Sequence, residues 1–238
     1  MFTGIVEEVG TLVRIEPTGL VISTPSGLSD VVCKDSVAVD GTCLTVIDRG
    51  GDWFHVDTIP ETLRCTRLGI LQPGARINLE RSLAANQRIG GHMVQGHIEA
   101  TVRVLFTRDD GIERYCEAEL PSHLRPYVVP KCFVALNGVS LTVIDRQHDR
   151  FSFALIPYTR EHTNLGEAEP GMLLNLETDI IGRYVAHMLN LRGELKGDGD
   201  REETLDVVSP IQTLTTSPFE YARGSLMQRS LYAVTGGI

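Results

Sequence analysis

Up to Asp179 the apolar residues come in short runs with period-two alternation, as at Val37/Val39, Leu44/Val46, Phe54/Val56 and Ile77/Leu79. Gly, Pro and Asp residues bound these runs, a pattern that predicts short antiparallel strands. The pattern is written twice: Ser36 to Glu80 aligns without a gap on Phe133 to Glu177, about half the positions being identical, including L-T-V-I-D-R at Leu44 to Arg49 and Leu141 to Arg146. A weaker echo pairs Phe2-Thr3-Gly4-Ile5-Val6 with Val94-Gln95-Gly96-His97-Ile98. Each half therefore starts with a Gly-centred strand and ends at an N-L-E strand. Half a dozen strands per half suit a small Greek-key barrel, whose closure removes exposed sheet edges. The expected fold is all-β, two tandem six-stranded Greek-key barrels over residues 1–91 and 92–190. Thr62 to Leu68 and Thr159 to Leu165, following Pro60 and Pro157, each supply a short helix, and Arg81 to Gly91 reads as the link. Beyond Asp179 an Ile181, Val185, Met188 stripe predicts a C-terminal amphipathic helix. Residues 191–238 read as a flexible linker and a tail, the linker polar and Gly-rich from Arg192 to Thr204.

Composition narrows the classes of function. The chain of 238 residues is 42% hydrophobic and 22% charged, which suits a globular protein with a real core. A formal charge of −9 without a segregated basic patch argues against nucleic acid and anionic membrane surfaces. No apolar run approaches the roughly 20 residues of a bilayer span, and no signal-peptide pattern opens the chain, so a cytoplasmic protein is expected. Five cysteines without a C-x-x-C pair indicate reduced thiols rather than a disulfide framework or zinc ribbon.

Duplicated barrels provide equivalent pockets for two copies of a similar ligand, and their asymmetries carry the chemistry. Asp40-Gly41-Thr42-Cys43-Leu44-Thr45 answers to Asn137-Gly138-Val139-Ser140-Leu141-Thr142. Residues two apart on a strand share a face, so Cys43 with Thr45, and Ser140 with Thr142, can address one ligand each. Taken singly these residues have blander readings: Cys43 as a buried thiol, Lys131 as a solvated charge, Asp179 as a helix N-cap, the glycines as turn formers. His92 and His97 lack a third ligand nearby, so no metal is expected.

MFTGIVEEVG at the start, DSVAVDGTCLTV at 35–46, GGHMVQGHIEA at 90–100 and KCFVALNGVSLTV at 131–143 together resemble the riboflavin synthase family, built from two lumazine-binding repeats. The resemblance covers residues 1 to about 190 in order. It implies dismutation of two molecules of 6,7-dimethyl-8-ribityllumazine, without metal, flavin or nucleotide cofactor, into riboflavin and 5-amino-6-ribitylaminouracil. It implies a homotrimer assembled through the C-terminal helix, with sites between barrels of neighbouring subunits, and lumazine synthase as a partner in the same pathway. By position, His97 and Thr142 match a pair assisting proton removal, Ser140 lines the same pocket, and Lys131 matches a positively charged neighbour. Cys43, Ser36 and Thr45 match the first-barrel side, with Phe2 near the pocket mouth, and Asp179 a carboxylate near the subunit-spanning site. Thr62 and Thr159 match ring-binding positions, and Gly4, Glu61, Gly96 and Ile156 further substrate contacts; His92 belongs to the G-G-H motif. Asn137 is a departure: the family commonly has Asp there, and Asp40 stands where Asn is usual. Asn cannot act as a base. The rival reading is a non-catalytic lumazine- or flavin-binding antenna protein, whose relatives tend to lose the histidines and the S-L-T threonine kept here. A flavin-binding barrel of an oxidoreductase is the third, suggested by Pro157-Tyr158-Thr159 and weakened by the lack of a nicotinamide-binding domain.

Overall fold

The computed structural model describes residues 1–24, 28 and 30–191. The tail expected over 191–238 lies outside them except for Leu191. The first half closes into a six-stranded barrel of β1 (Glu8–Glu16), β2 (Gly19–Ser23), β3 (Ser36–Val39), β4 (Thr42–Arg49), β5 (Trp53–Asp57) and β6 (Arg76–Arg81), ordered β1-β2-β5-β4-β3-β6. Alternation sends Val37, Val39, Leu44, Val46, Phe54, Val56, Ile77 and Leu79 inward to one core, so Ser36, Cys43 and Thr45 fall on the outer face. Between β5 and β6 runs α1 (Pro60–Cys65), with proline at its start, where no N–H is needed.

The second half repeats this plan with β7 (Ala100–Asp110), β8 (Glu113–Glu119), β9 (Phe133–Leu136), β10 (Val139–Thr142), β11 (Asp145–Arg146), β12 (Arg150–Leu155), α2 (Pro157–His162) and β13 (Leu173–Thr178). Its sheet order, β10-β9-β13-β7-β8-β12-β11, looks open. Its two edges are nevertheless one stretch of chain: β10 and β11 together answer to β4, divided where β4 itself shifts register between Val46 and Asp48. In the first half the bulge lets one strand serve both neighbours; in the second the strand is divided there, and Ile144, between the two parts, donates its N–H to Ser152 O at 2.8 Å.

The expected Gly-centred first strands belong to neither barrel. Phe2 and Val94 instead form a bridge with each other, Phe2 N–H donating to Val94 O at 2.7 Å and Val94 N–H to Phe2 O at 3.1 Å. Phe2, Ala38, Val94 and Ala135 make a small core between the halves. The hairpins β3–β4 and β9–β10 turn at Asp40-Gly41 and Asn137-Gly138, all four with positive φ, the geometry of two-residue hairpin loops. These tips abut so closely that a Cβ on Gly41 would lie 2.5 Å from the Gly138 nitrogen.

The predicted C-terminal helix is α3 (Ile180–Leu191). Asp179 Oδ1 accepts from Ile181 N–H at 3.0 Å, an N-cap contact. The expected stripe is there but unburied, with Ile181, Val185 and Met188 exposed, as are Tyr184 and Leu191. Among the described residues no helix is long and apolar enough to cross a membrane.

Candidate functional site

Cys43 and Ser140 stand at equivalent places on β4 and β10, each opposite an alanine of the neighbouring strand, Ala38 or Ala135. Both are half-buried, and two residues on, Thr45 and Thr142 are exposed on the same outer faces. Ser36 is paired opposite Thr45, and Phe133 opposite Thr142. Each site strand is backed by the other half: Cys43 N–H donates to Gly96 O at 2.9 Å and Ser140 N–H to Gly4 O at 2.8 Å. A Cβ on either glycine would fall 2.6 Å from the Cys43 or Ser140 Cβ. Gly4 and Gly96 therefore lie behind the site strands, with positive φ and no space for a ligand between.

The two site strands differ in the imidazole beside them. Ser140 Oγ is hydrogen-bonded to His92 Nδ1 at 2.7 Å. His92 is only 6% exposed and stacks on Phe133. Burial lowers its pKa below 6.5, against the opposing pull of Asp179, so the ring is neutral at neutral pH. No imidazole is hydrogen-bonded to Cys43 among the described residues. His97 is exposed, its N–H donating to Glu177 Oε2 at 3.1 Å. Lys131 is exposed, in a left-handed turn with its N–H on Val143 O; Lys34 repeats that conformation and bond on Val46 O in the first half.

Thr62 and Thr159 are half-buried on α1 and α2. Glu61, beside Thr62, is exposed, and hydrogen bonds from Arg64 and then Cys65 hold its carboxyl at about 2. Ile156, which precedes α2, is exposed and has an equally exposed counterpart in Ile59. Ser36 borders an open cleft of about 190 Å³ with Glu7, Asp30, Arg81 and Gln87.

Two of the expected site residues lie between the halves. Phe2 is 0% exposed, in the small core there. Asn137 is equally buried and belongs to the seam: its Oδ1 accepts from Asn175 N–H at 2.8 Å and its Nδ2 donates to Asn164 Oδ1 at 3.2 Å. Asp40, its counterpart, accepts from Asn78 N–H and Asn164 Nδ2 and pairs with Arg67 at 3.2 Å. Burial raises the Asp40 carboxyl while Arg67 lowers it. The Asp/Asn exchange thus moves a negative charge to the half that holds its counter-ion, since Asn164 stands where Arg67 would be.

Sequence reading missed Glu80 and Glu177 as buried acceptors. The signal was present, for both close an N-L-E triplet at the same register in each repeat. Among the described residues no group of three or more His, Cys, Asp or Glu is arranged to hold a metal ion.

Comparison with known proteins gives the family and the fold. The family described as "Lumazine binding domain" matches residues 3–82 and again 95–179. A riboflavin synthase of Mycobacterium tuberculosis is 41% identical over 201 residues, 81% of this chain and 100% of that protein. Those of Actinobacillus pleuropneumoniae and Schizosaccharomyces pombe are 38% and 37% identical, over 79% of this chain in each case and 90% and 94% of theirs. Among solved structures, LumP complexed with riboflavin shares the fold at a TM-score of 0.70 and 24% identity, covering 75% of this chain and 99% of that one. LumP complexed with 6,7-dimethyl-8-(1'-D-ribityl) lumazine gives 0.68 over the same shares. With both repeats matched and synthases aligned over nearly their whole length, the chain belongs to the riboflavin synthase family of duplicated lumazine-binding proteins.

Proposed function

We propose that the chain is a riboflavin synthase, converting two molecules of 6,7-dimethyl-8-ribityllumazine into riboflavin and 5-amino-6-ribitylaminouracil by transfer of a four-carbon unit. The observation that carries this is the duplicated outer-face pair, Cys43 with Thr45 and Ser140 with Thr142, on a chain that spans the full length of a tuberculosis synthase. The lumazine 7-methyl group is acidic because its anion is delocalised as an exocyclic methylene. A modest base and hydrogen bonds to the ring therefore suffice to form the carbanion. His97 and Thr142 take that role beside Ser140, with Lys131 as the neighbouring positive charge. Ser36, Cys43 and Thr45 hold the second lumazine and favour addition at its C7. Thr62, Thr159, Glu61 and Ile156 contact the ring systems. Two rings held face to face turn a bimolecular reaction into an internal one, the largest contribution to rate.

Completing the site requires a second subunit, the first barrel of one protomer facing the second barrel of its neighbour, with Asp179 at the junction. The exposed apolar stripe of α3 supports a homotrimer built on that helix. The five unpaired cysteines suit a reducing cytoplasm, and lumazine synthase, as the supplier of substrate, is the natural partner. Purified protein given the lumazine as sole substrate is expected to develop riboflavin absorbance. His97→Ala and Ser140→Ala are expected to lower kcat about a hundredfold. Wild-type rates in both variants would remove these residues from the mechanism.

A further inference from the structure

Glu80 and Glu177 have no part in the reaction as described, yet each is buried and spent on a glycine turn. Glu80 Oε1 accepts from Thr3 N–H at 2.6 Å and Thr3 Oγ1 at 2.8 Å, and its Oε2 from Gly4 N–H at 3.0 Å. Glu177 Oε1 accepts from Gln95 N–H at 2.7 Å, and its Oε2 from Gly96 N–H at 2.8 Å and His97 N–H at 3.1 Å. Successive amides that converge on one anion form a concavity suited to a carboxylate and poorly suited to an amide, whose NH2 would meet N–H groups. Burial raises both carboxyls and these donors lower them.

The turns so held serve the opposite barrel. Gly4, clamped by the first barrel's Glu80, accepts from Ser140 N–H of the second, and Gly96, clamped by the second barrel's Glu177, accepts from Cys43 N–H of the first. The close approach of both glycines to those residues leaves no slack between clamp and site. We propose that Glu80 and Glu177 are crossed positioning residues: Glu80 sets Ser140, and Glu177 sets Cys43, each acting through a glycine turn on the site residue of the other half. Each pocket is then held in register by a carboxylate of its twin half, which links the geometry of the two half-sites that one chain contributes.

The catalytic consequence rests on the proposed synthase reading of Cys43 and Ser140; the wiring does not. The test uses full-length Glu80→Gln and Glu177→Gln. In hydrogen exchange followed by mass spectrometry, Glu177→Gln is expected to speed exchange in peptides spanning 42–46 and spare 139–143, and Glu80→Gln to do the reverse. In turnover, each variant is expected to lose on the order of tenfold to a hundredfold in kcat with little change in KM. Double-mutant cycles are expected to couple Glu177→Gln with Cys43→Ser and Glu80→Gln with Ser140→Ala, and to leave the other two pairs additive. Where a Gln variant does not fold, Thr3→Val for Glu80 and Arg183→Met for Glu177 are expected to give the same two exchange signatures. Arg183 lies 3.7 Å from the Glu177 carboxylate. Exchange that rises in the variant's own barrel, or in both alike, overturns the crossed arrangement. Absence of turnover in the wild type would overturn the synthase reading and leave the exchange result to decide the wiring.

Discussion

At the scale of single residues, the difference between the pockets lies in how a nucleophilic atom is supported. The hydroxyl of Ser140 has a buried neutral imidazole at 2.7 Å, whereas the thiol of Cys43 has no imidazole partner among the described residues. His92 also leaves a mark on stability. Burial lowers its folded pKa below the unfolded 6.5, so the unfolded chain binds the proton more readily. Its contribution is present above pH 6.5 and is lost as pH falls through that value toward the lower folded one. Glu80 and Glu177, raised by burial, act oppositely: what they contribute is present below 4.5 and is lost as pH rises through their folded values. The readout is therefore a difference. Between about pH 5 and 7, the stability of His92→Gln in urea is expected to fall less steeply with acid than that of the wild type. Parallel curves would mean that His92 is not held neutral by the fold.

Among the elements, the abutting hairpin tips carry the interface between halves. Asp40, Arg67, Asn78, Asn137, Asn164 and Asn175 form one buried network there. Arg67→Asn leaves the Asp40 charge buried without a counter-ion and is expected to cost about 3–5 kcal/mol in chemical denaturation. Adding Asp40→Asn, which copies the second half's residues at both positions, is expected to recover most of that loss. No recovery would show that the ion pair is not what balances Asp40. The barrels and short helices were legible in the sequence because period-two alternation and the prolines at Pro60 and Pro157 are local signals. The outer-face pairs of Cys43 and Ser140 were legible for the same reason. The seam was not. Phe2 and Gly4 take their places from Val94 and Ser140 of the opposite half, and nothing near them in the chain announces a partner more than ninety positions away. Asn137 and Asp40 meet at Asn164, a link between the two repeats that alignment of one on the other does not show.

At the scale of the whole molecule, the apolar face of α3 is left exposed in the described chain. Ile181 is 59% exposed, Val185 49%, Met188 54% and Leu191 75% on a helix whose only buried residue is Ala186. An exposed apolar stripe of this kind marks an interaction surface, which the proposed homotrimer would bury. On the homotrimer proposed above, Val185→Glu with Met188→Glu is expected to give a monomer in light scattering after gel filtration where the wild type gives a trimer. The same change is expected to abolish turnover while leaving each barrel folded by circular dichroism. A trimer that survives these charges would place the subunit contact elsewhere. The central claim is that two like pockets bring two copies of one heterocycle together for carbon transfer. Product stoichiometry from 6,7-dimethyl-8-ribityllumazine alone tests it most directly: the account expects riboflavin and 5-amino-6-ribitylaminouracil in equal amounts, each at half the lumazine consumed. Tight binding of the lumazine without either product would contradict it.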